Sequence, residues 1–361
     1  MENLVEEKHS IKAIIKYAGA FIAWIVGSGF ATGQEILLFF TSYGYASYGV
    51  VLLNLIGFLL LGKIMLTKGY EHKDSETFNP YKFYCGNKLG SLYSWLVPAT
   101  LILIMAVLIA GAGATLYEYY GLNRLIGSAI MAVMVLCAYL VGFENLIKIV
   151  SKTGPLIIVF ALFVGTITVV NDFSNIREVG TYQQTLVPLQ TAPHWVISAV
   201  LYLSLSFLAG GTYYTALGRS AKSRKDAKWG AIIGALAVVS VIAIMNSAIL
   251  LNVSNAALLD IPALYLARGI SYALGTVFSI ALVLGMFSSC SAMMWSFCNP
   301  FFPGTNKNKM IAVITAVVTF TIGLFPFQGL VGVVYPFIGY LGLIFIVCVI
   351  YKGFKKAPNS P

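Results

Sequence analysis

The residues whose types and spacing can do chemistry lie in one run, Val26-Gly27-Ser28-Gly29-Phe30-Ala31-Thr32-Gly33-Gln34-Glu35. It interrupts the first apolar segment, 12–41. Three glycines in seven positions weaken a helix by about 1 kcal/mol each against alanine, and a carboxylate follows at once. Inside a bilayer, unwound backbone persists only where protein or a water-filled cavity satisfies its N–H and C=O groups. A broken membrane helix beside an acid therefore reads as a binding site. Tight glycine packing against a neighbouring helix is the plainer alternative.

The two ends of such a break offer opposite chemistry. Free N–H groups near Ser28, Gly29 and Phe30 favour an anion. Free carbonyls near Ala23, Trp24 and Val26 favour a cation or an ammonium. Gly27 and Gly29 let a ligand approach the backbone. An amino acid zwitterion suits both ends. Glu35 reads either as a proton site or partner of a cationic solute, or as a gate carboxylate paired with Lys or Arg, since a buried unpaired carboxylate is costly.

The chain that positions this run has 361 residues, 59% hydrophobic and 10% charged, with mean hydropathy +0.85. Soluble domains carry about 25% charged residues, so the composition reads as an integral membrane protein. Ten spans are expected, at 12–41, 45–67, 92–118, 123–142, 154–170, 194–218, 229–251, 268–298, 309–325 and 328–351, each near the length that crosses a bilayer. No small-residue cleavage site follows the first apolar segment, which is expected to stay as a span.

The net charge of +10 is a topology signal. Of the 23 Lys and Arg, all but Arg124, Arg177 and Arg268 fall on one side of the ten-span arrangement. The positive-inside rule makes that side cytoplasmic and places both termini there, in the plasma membrane. A nucleic-acid partner is not expected; the partners are a small-molecule substrate and the lipid bilayer. On the other side, Asn252 to Ala267 reads as a short amphipathic helix on the outer face, a lid.

The sixth span carries its own glycine pair, Gly210-Gly211, about fifteen residues from its start, the depth at which Gly27 and Gly29 interrupt the first. Five spans per half is an odd number, so the second half is inverted relative to the first. The expected fold is all-α, one membrane domain over 1–361, with inverted repeats at about 12–170 and 194–351 and helices 1 and 6 discontinuous. That is the sequence signature of a secondary transporter with a midplane site.

Other polar residues in apolar spans have two readings each. Ser288 and Ser289 supply hydroxyls for sodium, opposite the carbonyls of Ala23 and Val26, or bond to neighbouring helices. Lys152 is an ammonium near the first break or a residue reaching the cytoplasmic interface; Glu144, Lys148 and Lys152 also share a helix face at i, i+4 spacing. Trp24, Phe207, Tyr213, Tyr214 and Trp295 wall a cavity or simply pack. Cys85, Cys137, Cys290, Cys298 and Cys348 show no metal-ligand or disulfide spacing. His9, His72 and His194 form no metal set, and no phosphate-binding loop is present. Neither an enzyme nor a cofactor is expected beyond sodium or a proton as coupling ion.

Gly27-Ser28-Gly29-Phe30 resembles the Gly-Ser-Gly-Ile-Phe break of the first helix in the amino acid–polyamine–organocation superfamily, which has the LeuT fold. Phe207-Leu208-Ala209-Gly210-Gly211 resembles its sixth-helix break. The run Val26 to Glu35 is similar to that of YkvI-like bacterial membrane proteins, and Lys152-Thr153-Gly154-Pro155-Leu156 is similar to a region of branched-chain amino acid:cation symporters. The resemblance implies a five-plus-five inverted repeat, a site lined by helices 1, 3, 6, 8 and 10, and coupled transport of an amino acid or organic cation. Gln34-Glu35 departs from the amino acid transporters. A transporter-like nutrient sensor, binding without flux, is the rival reading, as spore germinant-receptor subunits resemble the same superfamily.

Overall fold

A computed structural model of the chain describes residues 10–75, 78–141, 153–299, 301–302 and 305–355. Lys152, Lys148 and Glu144 lie outside the described residues, as does the side chain of Ser28. Among the described residues every regular element is helical.

The first apolar segment forms three pieces, α1 (Ile11–Ile25), α2 (Ser28–Ala31) and α3 (Gln34–Phe39). Long helices follow: α4 (Ser47–Glu71), α5 (Pro80–Tyr120), α6 (Arg124–Val141) and α7 (Thr153–Asp172). The second half opens with α8 (Trp195–Ala209) and α9 (Gly211–Arg219), then α10 (Arg224–Leu251) and a short α11 (Pro262–Ile270). It ends with α12 (Tyr272–Cys298), α13 (Asn306–Ile322) and α14 (Phe327–Phe354).

Polar residues at the bounds start these apolar helices by capping orphan N–H groups. Asn79 Oδ1 accepts from Lys82 N (3.0 Å) just before Pro80. Ser223 and Ser271 do the same for α10 and α12, each at 3.0 Å. The helix capped at Asn79 is not continuous: Gly86 (φ +75°, ψ 179°) is non-helical and separates a short piece starting at Pro80 from the helix that carries the third span. The eighth span begins at Tyr272, not 268, because residues 262–270 are a separate helix. The outer segment is not one helix on the surface: Val253–Ala256 makes a single turn, and α11 buries Ala263, Leu264, Leu266 and Ala267.

Among the described residues, seven helices are long and apolar enough to cross a membrane, eight if the bent α8–α9 pair is one span. The broken first segment and the 17-residue α13 lie outside that set by length. Helices of the two halves pack reciprocally: α1 runs along α10, while α8 and α9 run along α4; α5 runs along α12, and α8 along α14. Side chains of the two bent segments meet in a fully buried aromatic core, where Phe58 links Phe21 (ring centroids 6.5 Å) to Phe207 (5.5 Å) and Phe207 stacks on toward Tyr214 (5.1 Å).

Candidate functional site

The first segment breaks twice rather than once at 27–29. α1 ends at Ile25, and the backbone leaves the helix at Val26 (ψ 58°) and the extended Gly27 (ψ −173°). One turn, Ser28–Ala31, intervenes. The second break falls at Thr32-Gly33, where Gly33 has φ +83°, a left-handed conformation that glycine adopts without strain. Thr32 holds the corner: its hydroxyl donates to Gly29 O (2.7 Å) and accepts from Gln34 N (3.1 Å), while its carbonyl accepts from Ala263 N at the start of α11 (3.0 Å). The second break is thus satisfied by the outer segment, which sequence alone did not reveal.

Resuming the helix at Gln34 sets Glu35 back alongside α2. Its Oε1 lies 2.5 Å from the point a Cβ would occupy on Gly29, and the Tyr335 hydroxyl lies 3.0 Å from the same point. Gly29 is small because a carboxylate and a phenol use the space. Glu35 is half-buried and faces a cavity of about 600 Å³. Its neighbour Gln34 is fully buried, and neither amide atom has a hydrogen-bond partner among the described residues.

The sixth segment breaks at Gly210 alone, where α8 and α9 meet at 59°. Trp24, on the last turn of α1, covers this bend: its Nε1 lies 2.6 Å from where a Cβ on Gly210 would be. Trp24 also stacks on Tyr213 (4.7 Å, 18°), whose hydroxyl donates to Ala20 O (2.9 Å). One tryptophan therefore joins the two bends.

Of the residues expected at the site, Ala23, Trp24, Gly27 and Gly29 line the cavity from the first break, with Phe30 and Glu35 beyond it. Ser288 and Ser289 line it from α12. Val26 does not; it is fully buried. Phe207 is buried in the aromatic core behind Tyr214, Gly210 is covered by Trp24, and Gly211 lies against the Tyr81 ring. Of the other aromatics, Tyr213 lines the cavity, Tyr214 is buried, and Trp295 faces outward, about half exposed. Residues not anticipated are Tyr335 from α14, Tyr202, Ser206 and Thr212 from the sixth segment, and an apolar wall from α5 including Val97 and Leu108. Tyr335 is one of three tyrosines in its helix, with Tyr340 and Tyr351, and only its place before Pro336 sets it apart in the sequence.

The cavity is open where its lining residues Ala23, Ala216 and Ser296 are exposed. Outside its lining, Glu118 accepts from Asp260 N (2.7 Å) and Ile261 N (3.2 Å), and Gln328 N donates to Asp260 Oδ1 (3.3 Å). Arg124 Nη2 is 2.9 Å from Asp260 Oδ2, an ion pair that is close but not aligned as a hydrogen bond. No group of three or more His, Cys, Asp or Glu able to hold a metal occurs among the described residues.

No family model matches the chain. A relative in Bacillus subtilis (strain 168), the membrane protein YkvI, is 27% identical over 354 residues, covering 95% of this chain and 96% of the relative. Among solved structures the chain resembles the inward-facing conformation of Mhp1, with TM-score 0.63 and 12% identity over 94% of this chain and 76% of that one. It also resembles MhsT in complex with L-phenylalanine, with TM-score 0.60 and 16% identity over 96% and 90%. Both are LeuT-fold transporters. The fold is of the LeuT type, and the chain is a multi-pass membrane protein.

Proposed function

We propose that the protein is a secondary active transporter, carrying a small amino acid-like or organic-cation solute across the plasma membrane by coupling to sodium or protons. The observation that carries this reading is the cavity at the two bends. Two discontinuous helices, joined through Trp24, bring backbone ends and one carboxylate to a single space of solute size. The proposed topology is ten spans in a five-plus-five inverted repeat, at about 12–170 and 194–351, within one domain. Reciprocal packing of α1 on α10 and of α9 on α4 supports it, since inversion exchanges helix 1 with 6 and helix 2 with 7.

Both termini are proposed to be cytoplasmic, on the side of the basic loops. The open end of the cavity faces that side, which suits an inward-open member of an alternating-access cycle. Sodium, as cargo, would use the Ser288 and Ser289 hydroxyls with the Ala23 carbonyl; Val26 is dropped from that set because it is buried away from the cavity. Substrate contacts are proposed at Trp24, Gly27, Gly29 and Phe30, with Ser28 supplying backbone. Uptake into vesicles containing the purified chain tests the proposal: accumulation driven by an ion gradient supports it, whereas ligand binding without accumulation would make the protein a sensor.

A further inference from the structure

We infer that the cavity takes an organic monocation without a carboxylate, a primary amine or quaternary ammonium, and that Glu35 is its counter-ion. The inference deepens the transport reading and rests on it for flux, but not for binding. Glu35 is the one charged residue lining the cavity among the described residues; no Lys, Arg or His shares the wall. Its carboxylate has neither a hydrogen bond nor a charged neighbour there. A half-buried carboxylate facing an apolar cavity is costly until a cation pairs with it.

The position of that carboxylate decides the class of solute. A zwitterion entering a broken helix brings its own carboxylate to the exposed backbone. Here the space against Gly29 already holds Glu35 Oε1 and the Tyr335 hydroxyl, 2.5 and 3.0 Å from the missing Cβ. A second carboxylate would meet the first at short range and with like charge. An amine meets only an opposite charge, and the chain supplies the anion that an amino acid would carry. The rest of the lining does not oppose a cation: Trp24, Phe30, Tyr202 and Tyr213 contribute aromatic rings and carry no charge. About 600 Å³ is ample for an aromatic or branched amine.

The test uses matched probes that differ only in the carboxylate: 2-phenylethylamine, phenylalanine and 3-phenylpropionate, titrated at fixed pH against the purified full chain by binding and thermal shift. The amine is expected to bind at least tenfold more tightly than the amino acid, and 3-phenylpropionate not measurably. Glu35→Gln, with folding checked by gel filtration, is expected to lower amine affinity at least tenfold. Gly29→Ala, which pushes a methyl into the Glu35 oxygen, is expected to do so with the charge kept. Equal or tighter binding of phenylalanine to the wild type, undiminished amine binding in Glu35→Gln, or no binding by any of the three would overturn the inference. Amine binding without vesicle uptake would instead leave this site standing and remove the transport reading.

Discussion

Trp24 and Tyr213 stack face to face, with ring centroids 4.7 Å apart and planes 18° from parallel, although they belong to two different broken segments. Tyr213 further donates its hydroxyl to Ala20 O, on the same helix as Trp24. Sliding the first segment past the sixth has to break this contact, so the pair reports whether the two bends move as one.

A double-mutant cycle on Trp24→Ala and Tyr213→Ala is expected to show a coupling of about 1 kcal/mol in stability, the usual worth of an aromatic pair beyond its buried area. Tyr213→Phe keeps the ring and is expected to lose about 1 kcal/mol, the net value of one hydrogen bond. Additive losses in the cycle would mean the rings are merely neighbours and do not tie the bends.

The contact that holds the entry to α11 predicts a different response. Glu118 takes two backbone N–H groups, at Asp260 and Ile261, and so fixes the segment that enters α11. Glu118→Ala leaves both donors without an acceptor, which costs about 1–3 kcal/mol for each buried group. Hydrogen exchange at residues 260–263 is expected to rise at least tenfold, while Glu118→Gln, which keeps one carbonyl acceptor, rises less. Unchanged exchange in Glu118→Ala would show that packing of α11 alone holds this segment.

Gly33 gives a backbone test. Its φ of +83° is disfavoured for any residue with a Cβ, and such an atom would lie 3.0 Å from Ala263 N. Gly33→Ala is expected to lose at least about 1 kcal/mol of stability from the left-handed conformation alone. It should also loosen the Ala263 N to Thr32 O bond. A thermal melt of purified protein checks this, and an unchanged midpoint would mean that the second break is not held by α11.

How much of this was legible in the sequence depends on the scale of the cause. The glycines of the first and sixth spans act locally, so their effect on helix continuity is readable from spacing, and the interrupted helices fall close to where spacing put them. The second break at Thr32-Gly33 is not local. It depends on Ala263, more than two hundred positions later, and no pattern near Gly33 announces that partner. Val26 is expected at the site for its carbonyl and Phe207 for its ring, because each adjoins a break. The structure buries both whole residues away from the cavity lining, Phe207 in the aromatic core beside Tyr214. Tyr335 has no spacing signal among the three tyrosines of α14; only packing brings its hydroxyl to Gly29.

The coupling ion sets the two serines against Lys152. Ser288 and Ser289 line the cavity from α12, and Ala23 lines it from α1, so hydroxyl and carbonyl oxygens are both available to a cation there. A lysine ammonium in the same small region would exclude sodium. Two unit charges about 4 Å apart repel by roughly 4 kcal/mol at an effective dielectric of 20. Lys152 precedes Gly154-Pro155 at the start of α7, near the basic loops, so its expected place is the aqueous interface and the serines are expected to bind sodium. Uptake should then fall at least tenfold when sodium is replaced by N-methylglucamine at fixed pH. Ser289→Ala should raise the sodium concentration needed for half-maximal uptake, and Lys152→Ala should leave it unchanged. Undiminished uptake by the wild type without sodium, together with loss in Lys152→Ala, would reverse the assignment and make the lysine the fixed cation of a proton-coupled cycle.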